Sequence, residues 1–304
     1  MAMLVPLRAG GGIVHNKNRT MTTMAGKTIR KWWALFSLPT LAAFVIGFVV
    51  PFIMGIWLSL CRFTTVTDAK FIGFGNYSAA LADAEFWHAL WYTIAFTIIT
   101  TVIVNVAAFA IAVMLTKAIR GANIFRSVFF MPNLIGGIIL GYIWMLLLNG
   151  VLQHWGKSIT FSGTYGFWGM VILMCWQQIG YMMIIYIAGL QSMPGDVLEA
   201  ASVDGANRTQ TLFRITLPLM MPSITVCTFL SVTNGFKMFD QNLALTNGAP
   251  SNTSELVALN IYRTFYGRAG FEGVGQAKAV IFFIIVAIIA VIQNKLTTSK
   301  EVSA

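Results

Sequence analysis

Several polar side chains sit where the chain is otherwise apolar enough to lie in lipid. Asn234, Lys237, Asp240 and Gln241 fall in one such stretch, and Gln177 and Gln178 in another. Polar groups at membrane depth are costly, so they face a cavity, a neighbouring helix or one another. Asn234, Lys237 and Gln241 recur at helical spacing. Asp240 follows Lys237 by three residues, a separation at which opposite charges pair on a helix. The spacing predicts one polar face with its ion pair neutralised, a surface better suited to a sugar than to an ion. Trp176, beside Gln177 and Gln178, is placed to stack on a pyranose ring. The alternative for each is structural: contacts between helices for the polar groups, and a core or lipid-facing position for the tryptophan. For Asn105 and Asn133 the interhelical hydrogen bond is the preferred reading.

A second concentration of chemistry lies in residues 191–222, QSMPGDVLEAASVDGANRTQTLFRITLPLMMP. The Asp196–Glu199 spacing predicts a helix start with both acids near the positive end of the dipole. Leu198, Ala200 and Ala201 form a small-residue face. Gly205, after Asp204, permits a positive φ that ends this helix. Leu212, Phe213 and Ile215 give the following segment an apolar side flanked by Arg208 and Arg214, and Pro218 and Pro222 mark the entry to the next span. Two short helices joined by a glycine make a knob. It either docks in a partner's groove or rests on lipid as an amphipathic hairpin.

Other chemistries find no residues. No phosphate loop of the form G-x4-GK[ST] occurs, and Gly267, Gly270, Gly273 and Gly275 lack the lysine that would make one. His15, His88 and His154 are far apart, and Cys61, Cys175 and Cys227 are scattered and odd in number, without metal or disulfide spacing. The chain is therefore expected to bind no cofactor and to hydrolyse nothing itself.

The elements that must position these groups are membrane helices. Of 304 residues 57% are hydrophobic and only 10% charged, too few charges for a water-exposed surface. Six stretches reach spanning length: residues 33–60, 89–115, 125–148, 165–190, 220–243 and 277–293. The first is too long for a signal-peptide core and lacks a cleavage site, so it is expected to be retained. Gly137 and Gly141 form a GxxxG in the third, a pattern for close helix packing. With the N-terminus inside, thirteen lysines and arginines fall in cytoplasmic segments against five outside, with Lys237 and Lys278 near membrane depth. Both termini are thus expected in the cytoplasm. Topology accounts for the net charge of +10 without a nucleic-acid partner. Residues 1–31 read as a basic tail, 32–296 as the transmembrane domain and 297–304 as a second tail.

The knob carries a more specific pattern. Glu199-Ala200-Ala201, Gly205, Ile215 and Leu217-Pro218 fit EAA-x3-G-x9-I-x-LP without gaps, and so resemble the EAA loop of binding-protein-dependent ABC importer permeases. Phe71-Ile72-Gly73-Phe74-Gly75-Asn76-Tyr77, Phe239-Asp240, Leu245 to Pro250, Ile261-Tyr262 through Phe265, and Gly275 to Ala279 are similar to the carbohydrate-uptake, maltose-type branch in its compact six-span form. Ala249 departs from the pattern, since many relatives have glycine there. The resemblance implies an all-α, six-helix permease in the bacterial cytoplasmic membrane. It implies a second permease, as a heterodimer or a homodimer, an extracytoplasmic solute-binding protein, and a dimeric cytoplasmic ATPase that holds ATP and Mg. Glu199 would pair with a basic group on the ATPase, Gly205 would carry the turn, and Ala200, Ala201, Asp204, Ile215, Leu217 and Pro218 would complete the coupling loop. The substrate would be a sugar or oligosaccharide. Glycerol 3-phosphate or a similar polyol phosphate is the alternative within transport. A self-sufficient secondary carrier is the alternative outside it, disfavoured because the sequence displays neither repeats nor helices broken at mid-membrane.

Overall fold

The computed structural model describes residues 32–33, 35–116 and 121–299. The basic tail, Lys117, Arg120 and the last five residues lie outside that set. The chain divides into two compact units between Trp57 and Leu58. The first is dominated by α1, Leu35–Ser59. Pro51 has no N–H to return to the preceding turn, and just before it the helix widens into a π turn at Val45–Val49. Phe44, Phe48 and Phe52 stack along one edge, with ring centroids 5.3 and 6.0 Å apart.

The second unit opens with a minimal hairpin, β1 (Cys61–Arg62) and β2 (Lys70–Phe71), antiparallel with Cys61 opposite Phe71. Asn76, in α2 (Gly75–Ala82), fastens that connection by donating to the carbonyls of Ser59 and Cys61 at 2.9 and 2.8 Å. α3 (Ala84–Leu115) follows, begun by Asp83, whose carboxylate accepts from the Glu85 N–H. Then come α4 (Ala122–Phe130), α5 (Gly137–Leu152) and α6 (Gly163–Gln191). α7 (Gly195–Val203) and α8 (Arg208–Leu219) form the knob. α9 (Met221–Phe236), α10 (Asp240–Leu245), α11 (Val257–Gly267) and α12 (Glu272–Thr298) complete the chain. Among the described residues five helices are long and apolar enough to cross a membrane, and six spans result if α8 and α9, bent by 70°, count as one.

The core is the seam between α3 and α6. Phe96, Val104, Ala108 and Ala112 meet Met170, Leu173, Met182, Met183 and Tyr186, all almost fully buried. Asn105 ties three helices, donating to Ser231 Oγ at 3.0 Å and accepting from the Tyr186 hydroxyl at 2.7 Å. That matches the interhelical role expected of it. Asn133 instead sits in a 3-10 turn, Met131–Leu134, with no such bond among the described residues. The three cysteines are buried and unbridged, as small apolar fillers are.

Two spans differ from the sequence reading. The third is not continuous over 125–148, because α4 ends at Phe130 and α5 restarts only at Gly137. Pro132 and the Gly136-Gly137 pair explain the gap, one removing an N–H donor and the others lowering helix propensity. The fifth stops at Phe236 rather than running to 243. Broken helices are therefore present, and their absence no longer weighs against a self-sufficient carrier.

The break in the third span is pressed against α6. A Cβ on Gly180 would lie 1.7 Å from the Phe129 carbonyl oxygen, a backbone atom that cannot swing aside. Gly180→Ala is expected to cost about 1–3 kcal/mol, read as a lower melting midpoint in detergent and less protein in the membrane. Gly136→Ala, with open space around it, should melt like the parent. Equal midpoints for the two variants would contradict this packing.

Candidate functional site: a polar cavity and a two-helix knob

α9 ends because Lys237 caps it, its N–H bonding the Thr233 carbonyl at 3.1 Å. Phe239 then leaves helical geometry, and the chain restarts as α10. α10 lies on the GxxxG of α5. A Cβ on Gly137 would sit 2.8 Å from that of Asp240, and one on Gly141 2.7 Å from that of Ala244. The sequence thus marked a packing seat, whose occupant is α10. Asn242, fully buried, locks the far side. Its amide donates to the Ser254 carbonyl at 2.9 Å and its oxygen accepts from the Leu256 N–H at 2.9 Å.

The break opens a cavity of about 270 Å³ lined by Gln178, Asn234, Lys237, Phe239, Asp240 and Gln241. Asn234 donates to Gln178 Oε1 at 3.1 Å, and Gln241 donates to Gln177 Oε1 at 3.0 Å. Gln177 in turn reaches the Ile135 carbonyl at the break of the third span, at 3.4 Å. The polar residues singled out in the sequence are therefore brought together, with Gln177 bracing the wall from behind. Two expectations fail. Lys237 and Asp240 are not a helical pair, because the break takes them out of register. Among the described residues the ion pairs are Arg263–Glu255, Arg268–Glu85 and Lys278–Asp83. Trp176 is not a plate for this cavity either. It points to the opposite face of α6, 44% exposed, with its ring edge-on to Trp144 at 5.7 Å.

The end of the molecule away from the knob is held by groups that sequence reasoning left unconnected. Lys278, 1% exposed, donates to Asp83 at 2.7 Å, Asn260 at 2.9 Å and Thr264 at 2.8 Å. Burial opposes ionisation of Asp83, but the Lys278 hydrogen bond and charge outweigh it and hold the carboxyl below its ordinary range. Arg263 clamps the loop before α11. It reaches Glu255 at 3.1 Å, the Asn252 side chain and the Asn247 carbonyl. Burial pushes the Glu255 carboxyl upward, against the opposing pull of Asn260 and Arg263.

The knob has a defined joint. Gly205 takes φ +77°, the Ala206 N–H returns to Ala201 O at 3.0 Å, and the Gly205 N–H to Ser202 O at 3.2 Å. This is a Schellman stop, with Asp204 as its C-cap. Asn207 starts α8 through a reciprocal capping box with Gln210, at 2.8 and 2.9 Å. The first helix starts differently from expectation: Pro194 is its N-cap, without a side-chain bond, and Asp196 sits in the first turn. Ala201 is buried, while Glu199, Ala200 and Asp204 are exposed. Ile215, Leu217 and Pro218 are half-buried at the root, and Phe213 projects outward, 62% exposed, instead of sharing an inner face. Among the described residues no group of three or more metal-ligating side chains occurs.

Residues 120–299 match the family model described as binding-protein-dependent transport system inner membrane component. A relative from Thermoanaerobacterium thermosulfurigenes, the probable starch degradation products transport system permease protein AmyD, is 43% identical over 89% of this chain and 95% of its own length. The multiple sugar-binding transport system permease protein MsmF of Streptococcus mutans is 31% identical, covering 91% of this chain and 99% of its own. Among solved structures, a chain of a bacterial ABC transporter involved in import of the acidic polysaccharide alginate superposes with a TM-score of 0.75 at 20% identity, over 91% of this chain and 99% of that one. That likeness shows the fold.

Because Lys237 and Asp240 make no ion pair, their alanine substitutions are expected to combine additively. A double-mutant cycle on uptake rates should give an interaction energy under about 0.5 kcal/mol. A coupling well above that would place the two charges in contact.

Proposed function

The chain belongs to the binding-protein-dependent transport system inner membrane components, and from that premise we propose that it is the permease subunit of an ATP-driven importer of oligosaccharides, coupled to its ATPase through α7 and α8. The observation that carries this reading is the knob. Two short helices are joined at Gly205 and present Glu199 and Ala200 to solvent, in the motif register that resembles an EAA loop. A joint locked by two backbone bonds transmits a push as a lever does, where a loose loop would absorb it. Glu199 would meet a basic group in the ATPase cleft, and Asp204, Ala201, Ile215, Leu217 and Pro218 would hold the lever's shape.

The knob then faces the cytoplasm, with both termini on that side. The end carrying Lys278 and Arg263 faces outward, where a solute-binding protein would deliver substrate. A second, related permease would complete the transmembrane pair. ATP and Mg would be held by the ATPase dimer, and this chain would contact only sugar, protein and membrane lipid. The sugar assignment is supported by what the two relatives are named for and by the amide-rich wall of the cavity. Amides supply the neutral donors and acceptors that hydroxyls need. Polyol phosphate is a second reading, favoured by Lys237 facing the cavity without an ion pair; Asp240 in the same cavity offsets that attraction.

Glu199→Lys is expected to reduce ATP-dependent uptake to background while the variant still inserts in the membrane at parental levels. Uptake at the parental rate would remove α7 from the coupling path.

A further inference from the structure

α11 carries aromatic side chains that the coupling and cavity roles leave unused. Its inner face is immobilised: Val257, Asn260 and Thr264 are buried, and Lys278 bonds to the last two. The opposite face therefore has a fixed direction. Tyr262 and Tyr266, one helical turn apart, lie on it with ring centroids 5.0 Å apart, 43% and 72% exposed. Phe239, from the break after α9, continues the row at 5.1 Å from Tyr262. These rings, with Phe265 and Gln276, wall a cavity of about 370 Å³ between α11 and α12. Phe239 also lines the polar cavity, so the two spaces share one ring as a common wall.

We propose that Tyr266, Tyr262 and Phe239 form a stacking track that passes the pyranose rings of an oligosaccharide from the outer end of the chain into the polar cavity. This rests on the importer reading and adds a binding site to it. A pyranose has an apolar C–H face and a rim of hydroxyls. The ring faces cover the first, and the tyrosine hydroxyls with Gln276 answer the second. None of these three polar groups is engaged by another side chain among the described residues. A row of rings holds successive sugar units without selecting one position, so the chain can advance ring by ring. An interfacial tyrosine belt is the competing use of such residues. A belt requires no neighbouring polar cavity, whereas Phe239 lines both spaces and so places the end of the ring row beside one.

The test uses the complete importer in proteoliposomes, with maltose, maltotriose and maltohexaose as probes. The Tyr262→Ala, Tyr266→Ala pair is expected to lower maltohexaose uptake about tenfold, equivalent to about 1.4 kcal/mol, and maltose uptake less. The Tyr262→Phe, Tyr266→Phe pair should stay within about twofold of the parent, because the rings remain. If the alanine pair fails to assemble, Tyr266→Ala alone, at the most exposed ring, should still lower maltohexaose uptake by a smaller factor. Parental uptake by an assembled alanine variant overturns the track and leaves the importer reading standing. Equal losses for the alanine and phenylalanine pairs overturn stacking as the cause.

Discussion

A helix that stops inside an apolar bundle must find partners for the backbone groups it frees, and the stop at Lys237 is the constraint on which this molecule turns. Three devices hold the stop in place. Lys237 and Met238 return their N–H groups to Thr233 and Gly235. Gly137 and Gly141 let α10 lie against α5 at backbone distance. Asn242 then closes the segment by serving Ser254 and Leu256 together. An unbroken fifth helix would present Asn234, Lys237 and Gln241 as a stripe along one face. With the break, the same residues wrap around a space.

The charged groups divide into two kinds. Lys278 is buried and has three acceptors, a full set for an ammonium. Glu255 is buried and has Arg263 and Asn260. Those pairs weld α11 and the adjoining ends of α3 and α12, away from the knob, into one piece, which orients the exposed face of α11. Lys237 and Asp240 receive no comparable partners among the described residues and face the cavity instead. Leaving charges unsatisfied in a membrane protein is expensive, and a cavity gives both of them access to water or a polar guest. The knob lies at the opposite end, and the bent joint between α8 and α9 connects it directly to the cavity wall. Between the knob and Asn234 the chain runs through that 70° bend and then along α9.

Much of this was legible in the residues. Spanning lengths follow from apolar runs, and the Gly205 joint followed from a glycine placed between two helical patterns. The polar cavity residues were found because amides and charges stand out against lipid. What escaped detection depends on contacts distant in sequence. Nothing local to Lys278 points to Asp83, 195 residues away, and nothing in Gly180 reveals that it receives the Phe129 carbonyl. The Lys237–Asp240 pair was misjudged by applying helical spacing across a helix end. Pro132 with Gly136-Gly137 did carry a signal for the broken third span, but the surrounding hydrophobicity masked it. Trp176 was placed by adjacency to Gln177 and Gln178, although neighbours along a helix point to different faces.

If this chain is one part of an ATP-driven assembly, it cannot work alone. The most direct test is a gentle detergent pull-down from the native membrane, followed by reconstitution and uptake measured with and without ATP. The expected result is recovery with an ATPase and a second permease, and uptake only when ATP is supplied. Reproducible recovery of this chain alone, transporting without ATP, would contradict it.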